Sequence, residues 1–268
     1  MKKKLRFLVL VLLVAFVAWV IWANTAVELN TITVIGGDLP AAFEGYRIAH
    51  VSDLHSAEFW PDVIELLKKA EPDIICITGD LMDSRDEDPE TALAFMAQAV
   101  RIAPCYFVTG NHENALSWTL CDSLLKGLRE LGVHVMEDET VMLERQGAAV
   151  SLTGHQWGDT DEIGSLTDHD GFRILLSHQP EDIDNYAAGD YDLVLSGHAH
   201  GGQFRLPFIG GLYAPGQGIF PEYDAGLIRL EDTQMVVSRG IGNSSFQLRF
   251  NNRPEVVLLI LEGEKDGA

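Results

Sequence analysis

Residues 47–80 read RIAHVSDLHSAEFWPDVIELLKKAEPDIICITGD, and this stretch decides the class of fold. Apolar residues predict a strand over 47–52, helical spacing predicts a helix over 61–70, and a continuous apolar run predicts a buried strand over 73–78. A helix that connects two strands in this way forms a βαβ unit, in which the strands are parallel. The stretch therefore indicates an α/β protein.

The alternation of strands and helices continues beyond residue 80 and then changes to mostly strands. Two further helices are predicted over 89–101 and 117–131, each followed by a short strand. The later strands are predicted over 141–145, 148–153, 172–177, 193–196, 226–230, 235–238 and 256–261. The chain of 268 residues contains no repeat and no linker long enough to separate domains, so we expect one α/β domain at residues 27–268.

The N-terminal segment differs from the rest in composition. Four basic residues within the first six precede an unbroken apolar run over 7–23, which is at the short limit for a membrane-spanning helix. We interpret residues 1–26 as an uncleaved signal anchor, with a cleaved signal peptide and a secreted product as the alternative. The basic residues should stay in the cytoplasm, which predicts a single-pass cell-membrane protein with an extracytoplasmic catalytic domain.

The net charge limits which partners the protein can bind, and the cysteine content indicates whether disulfides stabilise it. The formal net charge is −21, and four of the 19 basic residues lie in the first six positions. The remainder therefore carries 15 basic residues against 40 acidic ones, a charge of −25. Such a surface repels long nucleic acids. The three cysteines lack the number and spacing of a disulfide framework, and we expect them to be buried as small apolar groups.

Five short polar clusters follow predicted strands. They are Asp53-Leu54-His55, Gly79-Asp80, Gly110-Asn111-His112-Glu113, Ser177-His178 and Gly197-His198-Ala199-His200. Because the carboxyl ends of strands in α/β sheets meet in one crevice, we expect the clusters to lie together. Each motif alone is weak, since a lone Asp-X-His occurs on surfaces by coincidence. Together they supply the imidazole and carboxylate groups that divalent first-row metals prefer.

The clusters are sufficient for two divalent metal ions, with Asp80 between them. One ion would take Asp53, His55 and His200, and the other would take Asn111, His178 and His198. We expect the Asp-X-His and His-X-His pairs to be extended, so that both side chains of a pair point to one side. A hydroxide held between two ions is a ready nucleophile. Mixed nitrogen and oxygen ligands suit Mn, Fe, Zn or Co.

The ordered set of motifs closely resembles the calcineurin-like metallophosphoesterase superfamily. The C-terminal part, with Gly201-Gly202-Gln203, the run 237–242, Arg249-Phe250 and Arg253-Pro254-Glu255, is similar to its bacterial membrane-anchored or exported phosphodiesterase branch. Ala199 stands where we expect Thr, but this is not a ligand position. The resemblance implies a four-layer α/β/β/α sandwich of two mixed sheets, the metallo-dependent phosphatase fold. It also implies that His112 is the catalytic residue, which contacts the phosphoryl oxygen or protonates the leaving group.

The sequence therefore predicts a membrane-tethered phosphohydrolase that acts on phosphodiester or pyrophosphate bonds of a small molecule or a lipid-linked phosphate. The alternatives are a non-catalytic metal-binding envelope protein and an exported nuclease, which the acidic charge disfavours. No residue is assigned to substrate binding. His155 is a candidate for the cleft, while Arg239 and Arg249 either contact substrate or pair with carboxylates. The apolar segment 204–220 is interpreted as a core hairpin rather than a bilayer-facing surface, and the oligomeric state is not indicated.

Overall fold

The computed structural model of the protein describes residues 2–161, 163–167, 169–243, 246 and 248–264. The predicted N-terminal segment 1–26 is described except for residue 1. The predicted domain 27–268 is described except for residues 162, 168, 244, 245, 247 and 265–268. Helix α1 (Lys2–Thr25) contains the apolar run and is the one described helix that is long and apolar enough to cross a membrane. All of its described side chains except those near its end are exposed, so the domain does not bury the helix.

The first sheet contains the βαβ units of the N-terminal half. Its strands are β1 (Glu28–Gly36), β2 (Arg47–Val51), β3 (Ile74–Thr78), β4 (Cys105–Val108), β5 (His134–Val135) and β16 (Glu255–Gly263). The order across the sheet is β1-β16-β2-β3-β4-β5, so the C-terminal strand lies between the first two. Strands β2 to β5 are parallel, and β16 runs antiparallel to β2. Every residue of β3 is buried, as its continuous apolar sequence predicts.

The second sheet is also mixed and contains most of the later strands. They are β6 (Glu139–Arg145), β7 (Ala148–Gly154), β8 (Arg173–Leu176), β9 (Leu193–Ser196), β14 (Gly226–Leu230) and β15 (Thr233–Val237). The order is β14-β15-β9-β8-β7-β6, with β7, β8, β9 and β15 parallel and an antiparallel strand at each edge. Each predicted strand of this half is therefore present within two residues of its expected bounds.

Four helices cover the outer faces of the two sheets. They are α2 (Trp60–Ala70), α3 (Glu90–Ala99), α5 (Trp118–Glu130) and α6 (Ile183–Ala188), and the short helix α4 (Asn111–Ala115) follows the end of β4. One core cluster joins α2, α3 and α5 to the first sheet, and another joins α6 to the second sheet. Between the sheets, β2 and β3 side chains such as Ile48 and Ile74 pack with Leu152 and Ile174 of the second sheet. The predicted four-layer α/β/β/α sandwich of two mixed sheets is thus confirmed.

The segment 204–220 forms two very short hairpins rather than part of the core. They pair β10 (Arg205–Leu206) with β11 (Gly210–Gly211) and β12 (Tyr213–Ala214) with β13 (Gly218–Ile219). The prediction of hairpins is confirmed, but the prediction of burial is wrong, because Phe208, Ile219 and Phe220 are exposed. Two-residue strands cannot present a face to either sheet, so these apolar side chains remain outside.

Candidate metal centre

The polar clusters meet at one edge of the sandwich, where strands of both sheets end. Asp53 and His55 follow β2, Asp80 follows β3, and Asn111 lies at the start of α4 after β4. From the second sheet, His178 follows β8, and His198 and His200 follow β9. The seven residues expected to bind metal therefore lie at the same edge, as expected because the carboxyl ends of strands in α/β sheets meet in one crevice.

One group of potential ligands consists of Asp53, His55 and His200. Their ligand atoms all lie within 4.8 Å of one another, and all three residues are buried. Asp53 Oδ1 is 3.4 Å from His200 Nε2 and 3.8 Å from His55 Nε2, while the two Nε2 atoms are 3.2 Å apart. Such spacing is suited to one cation coordinated by all three groups.

A second group consists of Asp80, His178 and His198, again within 4.8 Å and buried. Asp80 Oδ2 is 3.3 Å from His178 Nε2 and also 3.6 Å from His55 Nε2 of the first group. The carboxylate of Asp80 therefore stands between the two groups. Asn111 Oδ1 and His178 Nε2 are buried without a hydrogen-bond partner. Buried polar atoms are rarely left unpaired, so these orphaned atoms fit a bound cation.

The ring of His178 is oriented for ligation by its other nitrogen. Nδ1 donates a hydrogen bond to the Thr78 carbonyl oxygen at 2.5 Å. In the neutral ring this bond leaves the lone pair on Nε2, the atom that faces Asp80. A backbone carbonyl partner of this kind is the usual support for a metal-binding histidine.

The electrostatics of the site couple metal binding to proton release. Burial alone would raise the pKa of Asp53, but the nearby imidazoles of His200, His55 and His178 outweigh it and hold that pKa well below its usual range. Burial would lower the pKa of His178, yet Asp80 and Asp53 raise it to about 10. Since an imidazole ligand must be neutral, an ion has to displace this proton.

The local backbone of the ligands differs from the expected extended form. Asp53 and His55 have φ angles of 53° and 44°, and His198 and His200 have φ angles of 65° and 48°. The prediction of extended pairs was therefore wrong. The two residues of each pair follow strand ends in tight left-handed turns. Gly242 supports the first of these turns by donating its N–H to the Asp53 carbonyl at 2.7 Å. Strained backbone of this type is concentrated at functional sites.

His112 lies beside the first group rather than within the pair of ligand groups. Its ring packs edge-on against the His55 ring, with centroids 4.5 Å apart. The Ser84 backbone N–H donates to His112 Nδ1 at 2.8 Å, so the proton of the neutral ring is on Nε2. Burial, more than any other factor, lowers the pKa of His112, which keeps the ring neutral near pH 7.

Glu113 ties together the two loops that carry Asp80 and Asn111. It is fully buried, and its carboxylate accepts the backbone N–H groups of Asp80 and Gly110 at 2.8 Å and of Met82 at 3.2 Å. Burial, together with the charge of Asp80, raises the pKa of Glu113 to about 7. Its role is therefore to position the loops, and the sequence alone did not assign it.

Two further residues at the site were missed by the sequence analysis. Asp83 is buried and lies 3.8 Å from His55 Nδ1 and 4.0 Å from His112 Nδ1, and Arg85 holds its carboxylate in place. The position of Asp83 three residues after Asp80 was the available signal. The half-buried Trp157 covers the second group, with ring centroids 5.0 Å from His198 and 5.7 Å from His178. No local pattern marked this residue.

The remaining candidates are engaged elsewhere. His155 Nδ1 contacts Asp138 Oδ1 at 2.7 Å, and His155 is in none of the potential metal groups found among the described residues. Arg239 pairs with Glu28 and Glu255, as one of its two alternatives required. Arg249 forms no ion pair with a carboxylate among the described residues, and contact with substrate stays a prediction. It is buried and donates mainly to backbone carbonyls, with one guanidinium nitrogen 3.4 Å from His200 Nδ1.

Histidines and carboxylates gathered at the strand ends of a double-sheet sandwich define a class of metal-dependent hydrolase. The family model described as calcineurin-like phosphoesterase matches residues 46–202, which is more than half of the chain. The protein belongs to this family. It is accordingly a metal-dependent phosphohydrolase with the metallo-dependent phosphatase fold, and its clusters of His and Asp are able to bind metal.

Three curated relatives are similar in sequence to this chain over most of its length. The uncharacterized metallophosphoesterase YkoQ of Bacillus subtilis is 30% identical over 240 residues, covering 86% of this chain and 88% of the relative. The phosphodiesterase YaeI of Escherichia coli is 27% identical over 224 residues, covering 81% of this chain and 82% of the relative. A Bos taurus transmembrane protein with metallophosphoesterase domain is 30% identical over 266 residues, covering 87% of this chain and 57% of the relative.

Proposed function

We propose that the protein is a dinuclear metal-dependent phosphoesterase that hydrolyses phosphodiester or pyrophosphate bonds at the cell envelope. The observation that carries this proposal is the position of Asp80. One of its carboxylate oxygens is 3.3 Å from His178 Nε2 and 3.6 Å from His55 Nε2, between the two groups of potential ligands. A carboxylate shared in this way is the usual bridge of two-metal hydrolases.

The two ions are assigned to separate sets of side chains around Asp80. Asp53, His55 and His200 would hold one ion, and Asn111, His178 and His198 would hold the other. When bound, such ions act as Lewis acids that activate water and polarise the phosphoryl group. The mixture of nitrogen and oxygen ligands suits Mn, Fe, Zn or Co, and does not select among them.

His112 is proposed as the catalytic residue that serves the leaving group or a phosphoryl oxygen. The hydrogen bond from Ser84 to Nδ1 leaves the proton on Nε2, and the lowered pKa keeps the ring neutral. The backbone N–H of His112 also donates to Asp80 Oδ1 at 2.9 Å, which fixes the residue relative to the bridging carboxylate. A neutral imidazole with a proton on Nε2 can donate that proton to an alkoxide that leaves the phosphorus.

Residues 1–26 are proposed to anchor residues 27–268 to the membrane. Helix α1 is long and apolar enough for this role by length and composition, and the basic residues before it favour an extracytoplasmic domain. The relative named a phosphodiesterase supports a diester substrate, and the relative named a transmembrane protein supports anchoring. Substrates are a small phosphoester or a lipid-linked phosphate, and the acidic surface disfavours long nucleic acids.

The test combines metal content with turnover of the full chain. We expect about two divalent ions per chain by mass spectrometry of the metals, and Mn²⁺-dependent hydrolysis of bis(p-nitrophenyl) phosphate. Asp80→Ala and His200→Ala should each abolish hydrolysis and lower the metal content. His134→Ala is the matched control, because His134 is exposed on β5. Full activity in either ligand variant, or one ion per active chain, would contradict the dinuclear assignment.

A further inference from the structure

An exposed apolar surface comprises the turn of the first short hairpin, the open end of the second and the segment before the C-terminal strand. We call it the hairpin patch, and it consists of Phe208, Ile209, Ile219, Phe220, Phe246 and Leu248. Three of these side chains are mostly in solvent, with relative exposures of 109% for Phe208, 74% for Ile219 and 64% for Phe220. Clustered exposed apolar side chains of this kind usually mark an interaction surface.

The fold itself gives no reason for large apolar residues at these positions of the two hairpins. Phe208 and Phe220 have φ angles of 68° and 57°, a left-handed conformation that bulky side chains rarely adopt. Neither side chain is buried, so neither stabilises the core. Phe208 lies in the turn of β10–β11, where a polar residue would serve better, and Phe220 directly follows β13 of the second hairpin.

The hairpin patch is continuous with the outer end of helix α1. Trp19 of the helix packs edge-on against Phe250, with ring centroids 5.7 Å apart, and Phe250 pairs through its backbone with Phe204. Phe204 in turn contacts Phe246 of the patch, with centroids 6.0 Å apart, and Phe246 contacts Tyr213 at the same distance. A row of aromatic rings therefore leads from the helix to the hairpins.

The contact at Trp19 sets the depth of the row relative to the apolar run of α1. Trp19 lies within the run 7–23, and a helix rises 1.5 Å per residue, so Trp19 is about 9 Å before the helix end at Thr25. The domain is thus held alongside the last part of the apolar run. Asn24 fixes this arrangement, because its amide donates to the Arg249 carbonyl and its oxygen accepts the Arg249 backbone N–H.

We propose that the hairpin patch lies in the interface of the same bilayer that α1 enters. The proposal rests on the membrane-anchoring part of the proposed function. Aromatic side chains favour the depth of the lipid headgroups, and apolar residues already exposed on the hairpins can bury there without further folding. Three arginines lie close to the patch in the chain, and none is free: Arg205 and Arg253 are paired with Asp224 and Glu28, and Arg249 is buried. The contact is therefore apolar and should not require anionic lipids.

The test measures the depth of single fluorescent labels in the full chain. The background variant is Cys121→Ser, because Cys76 and Cys105 are fully buried and will not react. An environment-sensitive dye is attached to Phe208→Cys, to Leu12→Cys in the middle of α1, or to Trp118→Cys as a control. Trp118 is a suitable control because it is also an exposed aromatic residue, with 79% exposure, but lies on α5 outside the hairpin patch. Each protein is placed in phosphatidylcholine nanodiscs with or without doxyl-labelled lipid.

We expect the doxyl lipid to quench the labels at residues 12 and 208 and to leave the label at residue 118 unchanged. Raising the salt concentration should not reduce the quenching at residue 208. Quenching at residue 12 together with a response at residue 208 no greater than that at residue 118 would overturn the docking of the patch and leave the anchor intact. Absence of quenching at all three positions would overturn both. A label at Ile219→Cys gives a second, independent measurement of the patch.

Discussion

Gly110 touches the carboxylate that stands between the two ligand groups, and Gly110→Ala tests whether the position of Asp80 controls metal binding. A Cβ atom at residue 110 would come within 2.2 Å of Asp80 Oδ1, whereas ordinary contacts begin at 3.4 Å. One of the two groups must therefore move by about 1.2 Å. The φ angle of Gly110 is −105°, which any residue can adopt, so the substitution adds a contact without backbone strain.

A movement of this size is large for a metal site and small for the fold. Metal–ligand distances tolerate changes of only about 0.2 Å. We therefore expect ion binding to weaken about 10- to 100-fold, and kcat/KM to fall about 100-fold because reacting groups are misplaced by about 1 Å. Overpacking by one methyl group costs about 1–3 kcal/mol of unfolding free energy, which leaves the domain folded.

The assay is a calorimetric titration of Mn²⁺ into the metal-free full chain, followed by kcat/KM for bis(p-nitrophenyl) phosphate at saturating ion. Gly158→Ala is the matched control, because a Cβ atom there meets nothing within 4 Å. Wild-type affinity and rate in Gly110→Ala would refute the reasoning, since Asp80 could then be displaced without consequence. Circular dichroism of both variants separates loss of the site from loss of the fold.

Three other predictions concern His112, Glu113 and the ions. His112→Gln should lower kcat/KM about 10²- to 10⁴-fold for a diester with an alkyl leaving group and much less for a p-nitrophenyl diester, which leaves without a proton; equal losses would contradict proton donation. In chelator, the contribution of Glu113 to the stability measured by urea unfolding should be lost as pH rises from 4.5 to about 7, because its raised pKa makes the folded state bind more protons there. The difference in unfolding free energy between the wild type and Glu113→Gln should therefore fall across this range, since the other titrating groups are common to both proteins. Ions at about 100 times Kd should add about 2.7 kcal/mol of stability per site, or roughly 5–10 °C in Tm, and an unchanged Tm would argue against ions held by the folded state.

The positions of the ligands along the sheets were predictable because each polar cluster follows an apolar run. The apolar run 74–78 is short and rich in β-branched residues, which favours a buried strand over a helix, and the carboxyl ends of parallel strands lie at one edge of the sheet. The conformation of the ligand turns was not predictable in this way. Asp53 is held in its left-handed turn by Gly242, which lies 189 residues further along the chain. Local spacing contains no information about such a contact.

The same distinction explains the residues that were missed or misplaced. Trp157 reaches the second ligand group only because β7 and β8 are neighbours in the folded sheet. The segment 204–220 was expected in the core because apolar composition usually indicates burial, but its strands are too short to join a sheet. Composition predicts whether a side chain favours burial, whereas the strands and helices available to pack against it decide whether it is buried.

The C-terminal strand β16 fills the space between β1 and β2, and this has a consequence for how the chain is made. Strand β1 pairs with β16 alone within the first sheet, so it has no partner there until residues 255–263 have been synthesised. Helix α1 leaves the ribosome before every strand of the domain, and under the proposed anchoring it would hold an unfinished sheet at the membrane while the remaining residues follow. During that interval the edges of β1 and β2 are open to wrong pairing. The yield of protein in the cell should therefore depend on chaperones that shield these edges, and shortening the chain before residue 263 should be more damaging than most internal substitutions.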